Sequence, residues 1–331
     1  MNTGQMHGVF LDLATVDRDD LDLQSLRNEL PEWTFHATTE PGSVGPRIAH
    51  AAVVACNKVR IDDRDLRTAP DLKLICIAAT GTNNIDLEAA RARNITVCNV
   101  QAYATDSVVE HVFAVILALT HRLSEYRDAV QRGAWQQAGN FCLLDFPIRE
   151  LTGQTLGIVG YGELGKAVAR MGTAFGMQVL IAQRPGTPLQ PGRTPLHELL
   201  AQSHIVSLHC PLTGETRGLI GAAELNLMRS DAILVNTARG GIVDEAALSA
   251  ALLSGQLAGA AVDVLTEEPP RSGNPLLALS LPNLIVTPHI AWAGIRSRQR
   301  LINEIAGNIR AFLDGHPHNV VQARGARGLA T

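Results

Sequence analysis

Short apolar runs recur along the chain, and most are separated by stretches with helical spacing. A short continuous apolar run is typical of a strand that is buried on both faces of a parallel sheet. Such runs, some of them interrupted by polar residues, predict strands at 9–13, 52–55, 74–79, 95–100, 156–159, 178–182, 205–208, 232–235, 260–264 and 284–286. Strands that alternate with helices indicate an α/β fold with open sheets.

Helical spacing predicts helices at 21–30, 62–69, 108–123, from 164 onward, 196–201, 222–228, 245–252 and 299–312. The pattern at 108–123 is apolar on nearly every side, so we expect a buried helix capped by Asp106 or Ser107. Its helical character continues, in amphipathic form, from Ser124 to Trp135. Glu110 and His111 lie in its first turns. They could be catalytic, but an acid near a helix start and a satisfied histidine are the simpler interpretation.

A glycine motif joins the strand at 156–159 to the helix that follows it. Gly160, Gly162 and Gly165 have the spacing G-x-G-x-x-G. In this context Gly160 permits the tight turn, Gly162 leaves backbone exposed to a pyrophosphate, and Gly165 allows close packing of helix on strand. The N–H groups and the dipole of the helix favour the phosphate charge. The motif predicts a dinucleotide site.

Length and composition narrow the class of protein. The 331 residues suggest about two domains, and an apolar content of 46% supplies each with a core. A net charge of −4 without charge runs argues against a nucleic-acid partner. We see no secretory signal, and the longest apolar stretch, 112–119, is too short to span a membrane. The five scattered cysteines indicate a reduced, cytoplasmic chain without a metal site.

Three polar side chains follow predicted strands of the glycine-motif domain. Arg239, Glu268 and His289 each lie just beyond the carboxyl end of such a strand, where open sheets bind ligands. Arginine can hold a carboxylate bidentately, and histidine titrates near neutral pH and can donate a proton. Glutamate can accept from the second ring nitrogen and orient the imidazole. Together they suit hydride transfer to a 2-keto acid, with the hydride supplied by a nicotinamide cofactor.

The sequence specifies the residues that would bind the adenosine end of the cofactor less clearly. An acidic residue about twenty positions beyond the motif usually binds the ribose 2′-hydroxyl, and Gln183 occupies that position. No carboxylate is there to repel a 2′-phosphate, and Arg184 could bind one. NADP is therefore plausible, and NAD is not excluded.

The segment 78–86 follows a predicted strand and is rich in turn-forming residues. Thr80, Gly81 and Thr82 could offer backbone N–H groups to an anion. From the residues alone, an ordinary strand–helix connection is the favoured interpretation.

The ordered set of motifs resembles the D-isomer-specific 2-hydroxyacid dehydrogenases over nearly the whole chain. The motifs are Gly160-x-Gly-x-x-Gly165, Leu208-His-Cys-Pro-Leu-Thr213, Val235-Asn-Thr-Ala-Arg-Gly240, Asp263 with Glu268-Pro269, and Thr287-Pro-His289. Thr80 to Asp86, Phe141 to Arg149 and His289 to Ala293 look most like the glycerate dehydrogenase/hydroxypyruvate reductase members.

The resemblance implies site residues beyond those inferred above. Arg239, Glu268 and His289 would be catalytic, and substrate would contact Thr80, Gly81, Arg239, His289 and Trp292. The backbone N–H groups of Thr80 and Gly81 would bind its carboxylate, contrary to the simpler interpretation. Cofactor contacts would be Thr105, Gly160, Gly162, Glu163, Leu164, Gly165, Gln183, Arg184, Cys210, Pro211, Thr216, Thr237, Ala238, Arg239, Asp263 and His289. Asp263 would face the nicotinamide end.

The resemblance also implies the organisation of the chain. It implies two Rossmann-like, doubly wound parallel-sheet domains with a cleft between them. Residues 1–103 plus 292–331 would form a discontinuous substrate domain, and 104–291 the dinucleotide-binding domain. Members are usually homodimers, which places the interface at 104–135, with the helix at 108–123 as its centre.

Three functions remain open from the sequence. The leading one is reduction of hydroxypyruvate or glyoxylate to the D-2-hydroxy acid, with D-glycerate oxidation as the reverse. Trp135, Phe141 and Trp292 could shape the pocket for a different 2-keto acid. A non-catalytic dinucleotide-sensing corepressor-like protein could retain all three polar residues.

Overall fold

The computed structural model describes residues 6–188 and 190–321. The chain divides into two compact units, one formed by Met1–Ala104 and Ala293–Thr331 and the other by Thr105–Trp292. In the described residues, each pair of neighbouring strands within the two sheets is parallel. The predicted α/β class, with two doubly wound parallel sheets, is confirmed.

The first unit contains a five-stranded sheet with the order β2-β1-β3-β4-β5. Its strands are β1 (His7–Phe10), β2 (Glu32–Phe35), β3 (Val53–Cys56), β4 (Leu74–Ile77) and β5 (Thr96–Cys98). Its helices are α1 (Gln24–Arg27), α2 (Val44–Ile48), α3 (Asp63–Arg67), α4 (Leu87–Ala92) and the C-terminal α11 (Ile295–Leu313). Helix α11 packs against β4 and α1, so the C-terminal segment completes the core of this unit.

The second unit contains a six-stranded sheet with the order β11-β10-β9-β8-β6-β7. Its strands are β6 (Thr155–Val159), β7 (Gln178–Ile181), β8 (Ile205–Leu208), β9 (Ile233–Asn236), β10 (Gly259–Val262) and β11 (Leu284–Val286). Its helices are α5 (Thr105–Thr120), α6 (Leu123–Gln131), α7 (Glu163–Ala174), α8 (Leu196–Gln202), α9 (Ala222–Leu227) and α10 (Glu245–Leu253).

The order of this sheet reverses between β6 and β8. A single parallel bridge joins Ala182 to Thr194 beyond β7 and stands where a further strand would extend the sheet. With that bridge counted as the third strand, the order becomes the 3-2-1-4-5-6 of dinucleotide-binding sheets, with β11 added at the far edge. The chain therefore crosses over next to β6, and the loops after β6 and β8 meet at the reversal.

The structure corrects the predictions for helices α5 and α6. Helix α5 begins at Thr105, before the predicted caps Asp106 and Ser107. It ends at Thr120, and α6 starts after Arg122, whose φ of 55° breaks the helix where continuity was expected. Helix α6 then ends at Gln131, short of the predicted Trp135. A left-handed residue between two helices depends on local packing and leaves little trace in apolar spacing.

Two further elements were missed in the first unit. Strand β2 is only partly buried, so it has no continuous apolar run. Helix α2 contains Gly45 and Pro46, which have low helix propensity. The strand–helix connection favoured for 78–86 is present, because helix α4 follows it and is capped by the Asp86 carboxylate, which accepts from Ala89 N.

No single helix in the part of the chain described here is long and apolar enough to cross a membrane. Helices α5 and α6 together have the length and the apolar composition of a membrane span, but they are bent by 57° at their junction. Within the same residues, no group of three or more histidine, cysteine or acidic side chains could hold a metal ion.

Candidate active site

The glycine motif at the end of β6 shows why each glycine is needed. Gly160 has a φ of 96°, and a Cβ there would lie 2.5 Å from Cys210 N in the loop after β8. A Cβ on Gly165 would lie 2.0 Å from Gly160 O, so helix α7 packs directly on the turn. A Cβ on Gly162 would meet no atom of the described residues within 4 Å. Two glycines therefore serve the fold, and the third leaves open space.

That open space lies at the N-terminus of α7. Gly162 is the N-cap and has no side chain, so the N-cap residue makes no side-chain hydrogen bond to this helix end within the described part of the chain. The first N–H groups of a helix need a partner from outside, and together with the helix dipole they favour an anion. The open backbone at Gly162 and the uncapped α7 fit a pyrophosphate.

Two buried polar atoms lie in the loops after β8 and β9. His209 Nδ1 and Thr237 Oγ1 are buried and have no hydrogen-bond partner among the described residues. Burial lowers the pKa of His209 to about 4, so its ring is neutral at pH 7. Its Nε2 lies 2.9 Å from Ser207 Oγ. An unsatisfied buried polar group costs about 1–3 kcal/mol, which a bound ligand would recover. Both atoms fit a cofactor that reaches across these loops.

His209 was not among the predicted cofactor residues. The signal was present, because it is the second residue of the motif Leu208-His-Cys-Pro-Leu-Thr213. Only the structure reveals that one of its ring nitrogens lacks a partner.

The loop after β9 presents Arg239. Asn236 shapes this loop, since its side chain accepts from Ala238 N at 3.1 Å and donates to Arg239 O at 3.1 Å. The guanidinium of Arg239 donates to Ala238 O at 2.6 Å. At the next residue, a Cβ on Gly240 would lie 1.9 Å from Leu265 O, so the loops after β9 and β10 are in direct contact.

The loops after β10 and β11 bring Glu268 and His289 together. Glu268 Oε2 lies 2.7 Å from His289 Nδ1, and Glu268 Oε1 accepts from Leu265 N at 2.8 Å. A carboxylate can only accept, so the ring proton lies on Nδ1 and Nε2 is the nitrogen directed away from this pair. Leu265 contacts the Arg239 loop through Gly240 and binds Glu268 through its N–H. One backbone residue thus connects the loops of all three predicted catalytic side chains.

Several of the other predicted cofactor residues already have intramolecular partners. Gln183 donates to Pro188 O at 2.7 Å and accepts from Gln190 N at 3.1 Å, which folds the loop after β7. Thr216 donates to Pro211 O at 2.6 Å. The Thr105 hydroxyl donates to the Glu163 carboxylate. These side chains fix the shapes of the surrounding loops.

The remaining predicted residues of this unit are placed as follows. Leu164 lies in the first turn of α7, exposed Arg184 follows Gln183, and buried Cys210 and Ala238 follow β8 and β9. Asp263 follows β10 and is 2% exposed. Trp292 Nε1 donates to His289 O at 2.9 Å.

Thr80 and Gly81 belong to the first unit, at the carboxyl end of β4. The Thr80 hydroxyl donates to Val100 O at 2.9 Å, and Thr80 O accepts from Asn99 Nδ2 at 2.8 Å. The backbone N–H groups of Thr80 and Gly81 have no acceptor among the residues described in the structure. This part of the loop can therefore donate to a bound anion.

A protein-family model identifies the second unit. The model described as "D-isomer specific 2-hydroxyacid dehydrogenase, NAD binding domain" matches residues 113–291, more than half of the chain. The chain belongs to the D-isomer-specific 2-hydroxyacid dehydrogenases. The predicted family is confirmed, and this dehydrogenase is an NAD(P)-dependent oxidoreductase.

Two curated relatives of the dehydrogenase align along almost their whole length. A glycerate dehydrogenase of Methylorubrum extorquens is 44% identical over 310 residues, which is 93% of this chain and 98% of the relative. A hydroxypyruvate reductase of Blautia hydrogenotrophica is 34% identical over 319 residues, which is 95% of this chain and 98% of the relative.

Among solved structures, an acyclic imino acid reductase in complex with NADPH and D-Arg resembles the dehydrogenase with a TM-score of 0.82. It is 26% identical, and the match covers 96% of this chain and 100% of that one. The family model names NAD and this structure contains NADPH, so the choice between NAD and NADP stays open.

Proposed function

We propose that this dehydrogenase reduces hydroxypyruvate or glyoxylate to the D-2-hydroxy acid with NADH or NADPH. The names of the two aligned relatives, glycerate dehydrogenase and hydroxypyruvate reductase, support the substrate class. The observation that carries the proposal is the 2.7 Å contact between His289 Nδ1 and Glu268 Oε2. It holds an imidazole in the orientation that a proton donor requires.

In this proposal His289 delivers the proton from Nε2. Glu268 keeps the proton of His289 Nδ1 in place. The carboxylate of Glu268 has a fixed orientation, because one oxygen accepts from Leu265 N and the other contacts His289 Nδ1. As the carbonyl carbon gains a hydride, the carbonyl π electrons move to oxygen, and that oxygen takes the Nε2 proton. The neutral ring is then reprotonated from solvent. The bound nicotinamide cofactor supplies the hydride.

Arg239 binds the substrate carboxylate and attracts the ketone oxygen. Its guanidinium is permanently charged, and its fork geometry matches a carboxylate. Asn236 and the close contact at Gly240 fix the loop that carries it. An Arg239→Lys variant should lose much of its activity, because an ammonium group cannot reproduce a bidentate contact. Unchanged KM for hydroxypyruvate in that variant would contradict this role.

We propose that the first unit, approximately the predicted 1–103 plus 292–331, is the substrate domain. The N–H groups of Thr80 and Gly81 would bind the substrate carboxylate. Gly81→Pro removes one donor and should raise KM for hydroxypyruvate about tenfold, the value of one charge-assisted hydrogen bond. Gly81→Ala keeps the N–H and is the matched control. Equal KM values for the two variants would exclude this contact.

The direct test is a panel of initial rates. Hydroxypyruvate, glyoxylate and pyruvate are each assayed with NADH and with NADPH. The proposal expects the highest kcat/KM on hydroxypyruvate or glyoxylate. Preference for pyruvate would indicate a dehydrogenase for a different keto acid, and the absence of turnover on all three would favour a dinucleotide-binding protein.

His289→Ala tests the proton donor. General acid catalysis contributes about 10²–10⁴-fold, so kcat should fall within that range while the cofactor Kd stays near wild type. Cofactor binding is measured by quenching of intrinsic fluorescence. Near-normal turnover in this variant would rule out His289 as the donor.

We also propose a homodimer, with an interface shifted from the predicted 104–135. Half of the residues of helix α5 are already buried, and Val112 and Ile116 are fully covered. Large exposed apolar side chains lie farther along, at Leu123, Val130, Trp135, Phe141, Leu144 and Ile148, and Phe141 is 90% exposed. Tyr126 donates to Phe146 O at 2.6 Å and holds this segment against α6. A second copy of the chain would cover these side chains.

Sedimentation velocity tests the dimer. Wild type should sediment as a dimer, and Leu144→Glu should shift it toward monomer by placing a charge in an apolar interface. Leu253→Glu, at an exposed apolar residue on α10, is the matched control and should remain dimeric. A monomeric wild type would contradict the proposal.

All five cysteines are free, which is consistent with the expected reducing, cytoplasmic setting.

A further inference from the structure

A partly buried polar network adjoins the segment that carries His289. Thr287 Oγ1 lies 2.6 Å from Asp263 Oδ1 and 3.2 Å from His111 Nε2. The side chain of Asp263 is 1% exposed and that of His111 is 17% exposed. His111 lies on α5, Asp263 follows β10, and Thr287 follows β11. Three separate elements therefore meet at one hydroxyl group.

The direction of these hydrogen bonds follows from their chemistry. An ionised carboxylate only accepts, so the single proton of the Thr287 hydroxyl points to Asp263. That oxygen can then only accept from the imidazole, so His111 carries a proton on Nε2. The order of donation is His111 to Thr287 to Asp263.

Asp263 fixes the backbone on both sides of the His289 side chain. Its Oδ1 accepts from Ile290 N and its Oδ2 from Ala291 N, each at 2.9 Å, and its backbone oxygen accepts from His289 N at 2.8 Å. His289 has a φ of 55°, a left-handed conformation that costs a non-glycine residue about 1–2 kcal/mol. These contacts hold a backbone conformation that the histidine would not adopt by itself.

Helix α5 contacts both ends of the same segment. Ser107 Oγ donates to Ala291 O at 2.8 Å, and His111, four residues later on the same face of the helix, contacts Thr287. The segment 287–291 is therefore held by Asp263 and by the first two turns of α5. The backbone of residues 287–291 sets the direction in which the side chains of this segment point.

We propose that His111 and Thr287 are positioning residues for His289. They complete the network that sets the backbone of residues 287–291, and through it the direction of His289 Nε2. This role is additional to that of Glu268, which orients the ring from the opposite nitrogen. It rests on the proposed function, in which His289 is the proton donor.

Thr287→Val tests the network with little change in side-chain volume. Valine keeps the branched shape and removes the hydroxyl, leaving Asp263 Oδ1 and His111 Nε2 without their shared partner. A displacement of about 1 Å can lower turnover about 10²-fold, so kcat should fall about 10–100-fold while cofactor Kd changes little. Thr287→Ser keeps the hydroxyl and should restore most of the activity. His111→Gln keeps an N–H donor, and His111→Leu removes it, which gives a second matched pair.

A double-mutant cycle separates positioning from general stability. In a His289→Asn background, Thr287→Val should cause little further loss, because the group it positions is already absent. The solvent deuterium isotope effect on kcat should rise in Thr287→Val alone, since proton transfer from a misdirected ring becomes slower. A merely structural role would lower kcat equally in both backgrounds and leave the isotope effect unchanged.

The outcomes distinguish this inference from the proposed function. If wild type fails to turn over, or if His289→Asn is nearly fully active, the proposed function fails and the inference fails with it. If His289→Asn is impaired while Thr287→Val and His111→Leu keep wild-type kcat and isotope effect, only the positioning role is overturned. Equal losses in both backgrounds overturn it as well.

Discussion

Gly240 offers the sharpest test of how the site is built. No side chain can be accommodated there, because a Cβ would lie 1.9 Å from Leu265 O, 2.1 Å from Leu265 C and 2.5 Å from Thr266 N. All three atoms belong to the backbone, so no side chain can rotate away to relieve the clash. The backbone at Gly240 is not in the left-handed region, and space is therefore the reason for glycine at this position.

The size of the perturbation follows from these distances. To reach the 3.4 Å of an ordinary contact in the Gly240→Ala variant, the loops after β9 and β10 must separate by about 1.5 Å. Overpacking of this kind costs about 1–3 kcal/mol of stability. Leu265 N binds Glu268, so the displacement reaches the partner of His289. A shift of about 1 Å in catalytic geometry can lower turnover about 10²-fold.

The measurement combines kcat on hydroxypyruvate, cofactor Kd and Tm for the Gly240→Ala variant. Gly139→Ala is the control, because a Cβ there meets nothing within 4 Å in the part of the chain that the structure describes, and the residue lies in the same unit. We expect a lower Tm and a kcat about 10²-fold below wild type in Gly240→Ala, and neither change in the control. Wild-type kcat and Tm in Gly240→Ala would refute the argument that these two loops must touch.

Three further predictions test other parts of the molecule. Gly162→Ala clashes with no atom of residues 6–188 and 190–321 but covers backbone that should meet the pyrophosphate, so cofactor Kd should rise about tenfold with Tm unchanged. Unchanged Kd would remove Gly162 from the site. Gly307→Ala within α11 meets no other described residue within 4 Å and should add about 0.5–1 kcal/mol to the free energy of unfolding in urea. A loss of stability would show that the space at Gly307 is needed. Gln183→Asp should lower the NADPH/NADH ratio of kcat/KM about tenfold through charge repulsion, whereas Gln183→Asn, equally shortened but neutral, should not. Equal NADPH/NADH ratios of kcat/KM in the two variants would mean that residue 183 does not discriminate between the two cofactors.

Much of the fold could be predicted because its strands are buried on both faces. Strands such as β3 and β4 are continuous apolar runs in which every residue is buried, and this pattern can be read directly from the sequence. The glycine motif is equally local, since β6, the turn and α7 are consecutive in the chain. Elements with less distinct patterns were missed or misplaced: the partly buried β2, the Pro46-containing α2 and the break at Arg122.

The candidate site could be predicted only in part. Position at a strand end, followed by the family motifs, was enough to single out Arg239, Glu268 and His289. The partnerships of Gln183 and Thr216 within their own loops could not be predicted, nor could the unpartnered nitrogen of His209. These features depend on the paths of loops, which apolar periodicity does not describe.

The sequence by itself determined the alternation of strands and helices, the glycine turn and which polar residues end the core strands, because each depends on neighbours along the chain. The tertiary structure alone decided that Glu268 reaches His289, that Gly240 lies against Leu265, and that His111 meets Thr287. Those contacts join residues 21, 25 and 176 positions apart. The distances between these residues in the fold are set by the order of strands in the sheet. That order is fixed only when the whole second unit packs around its core.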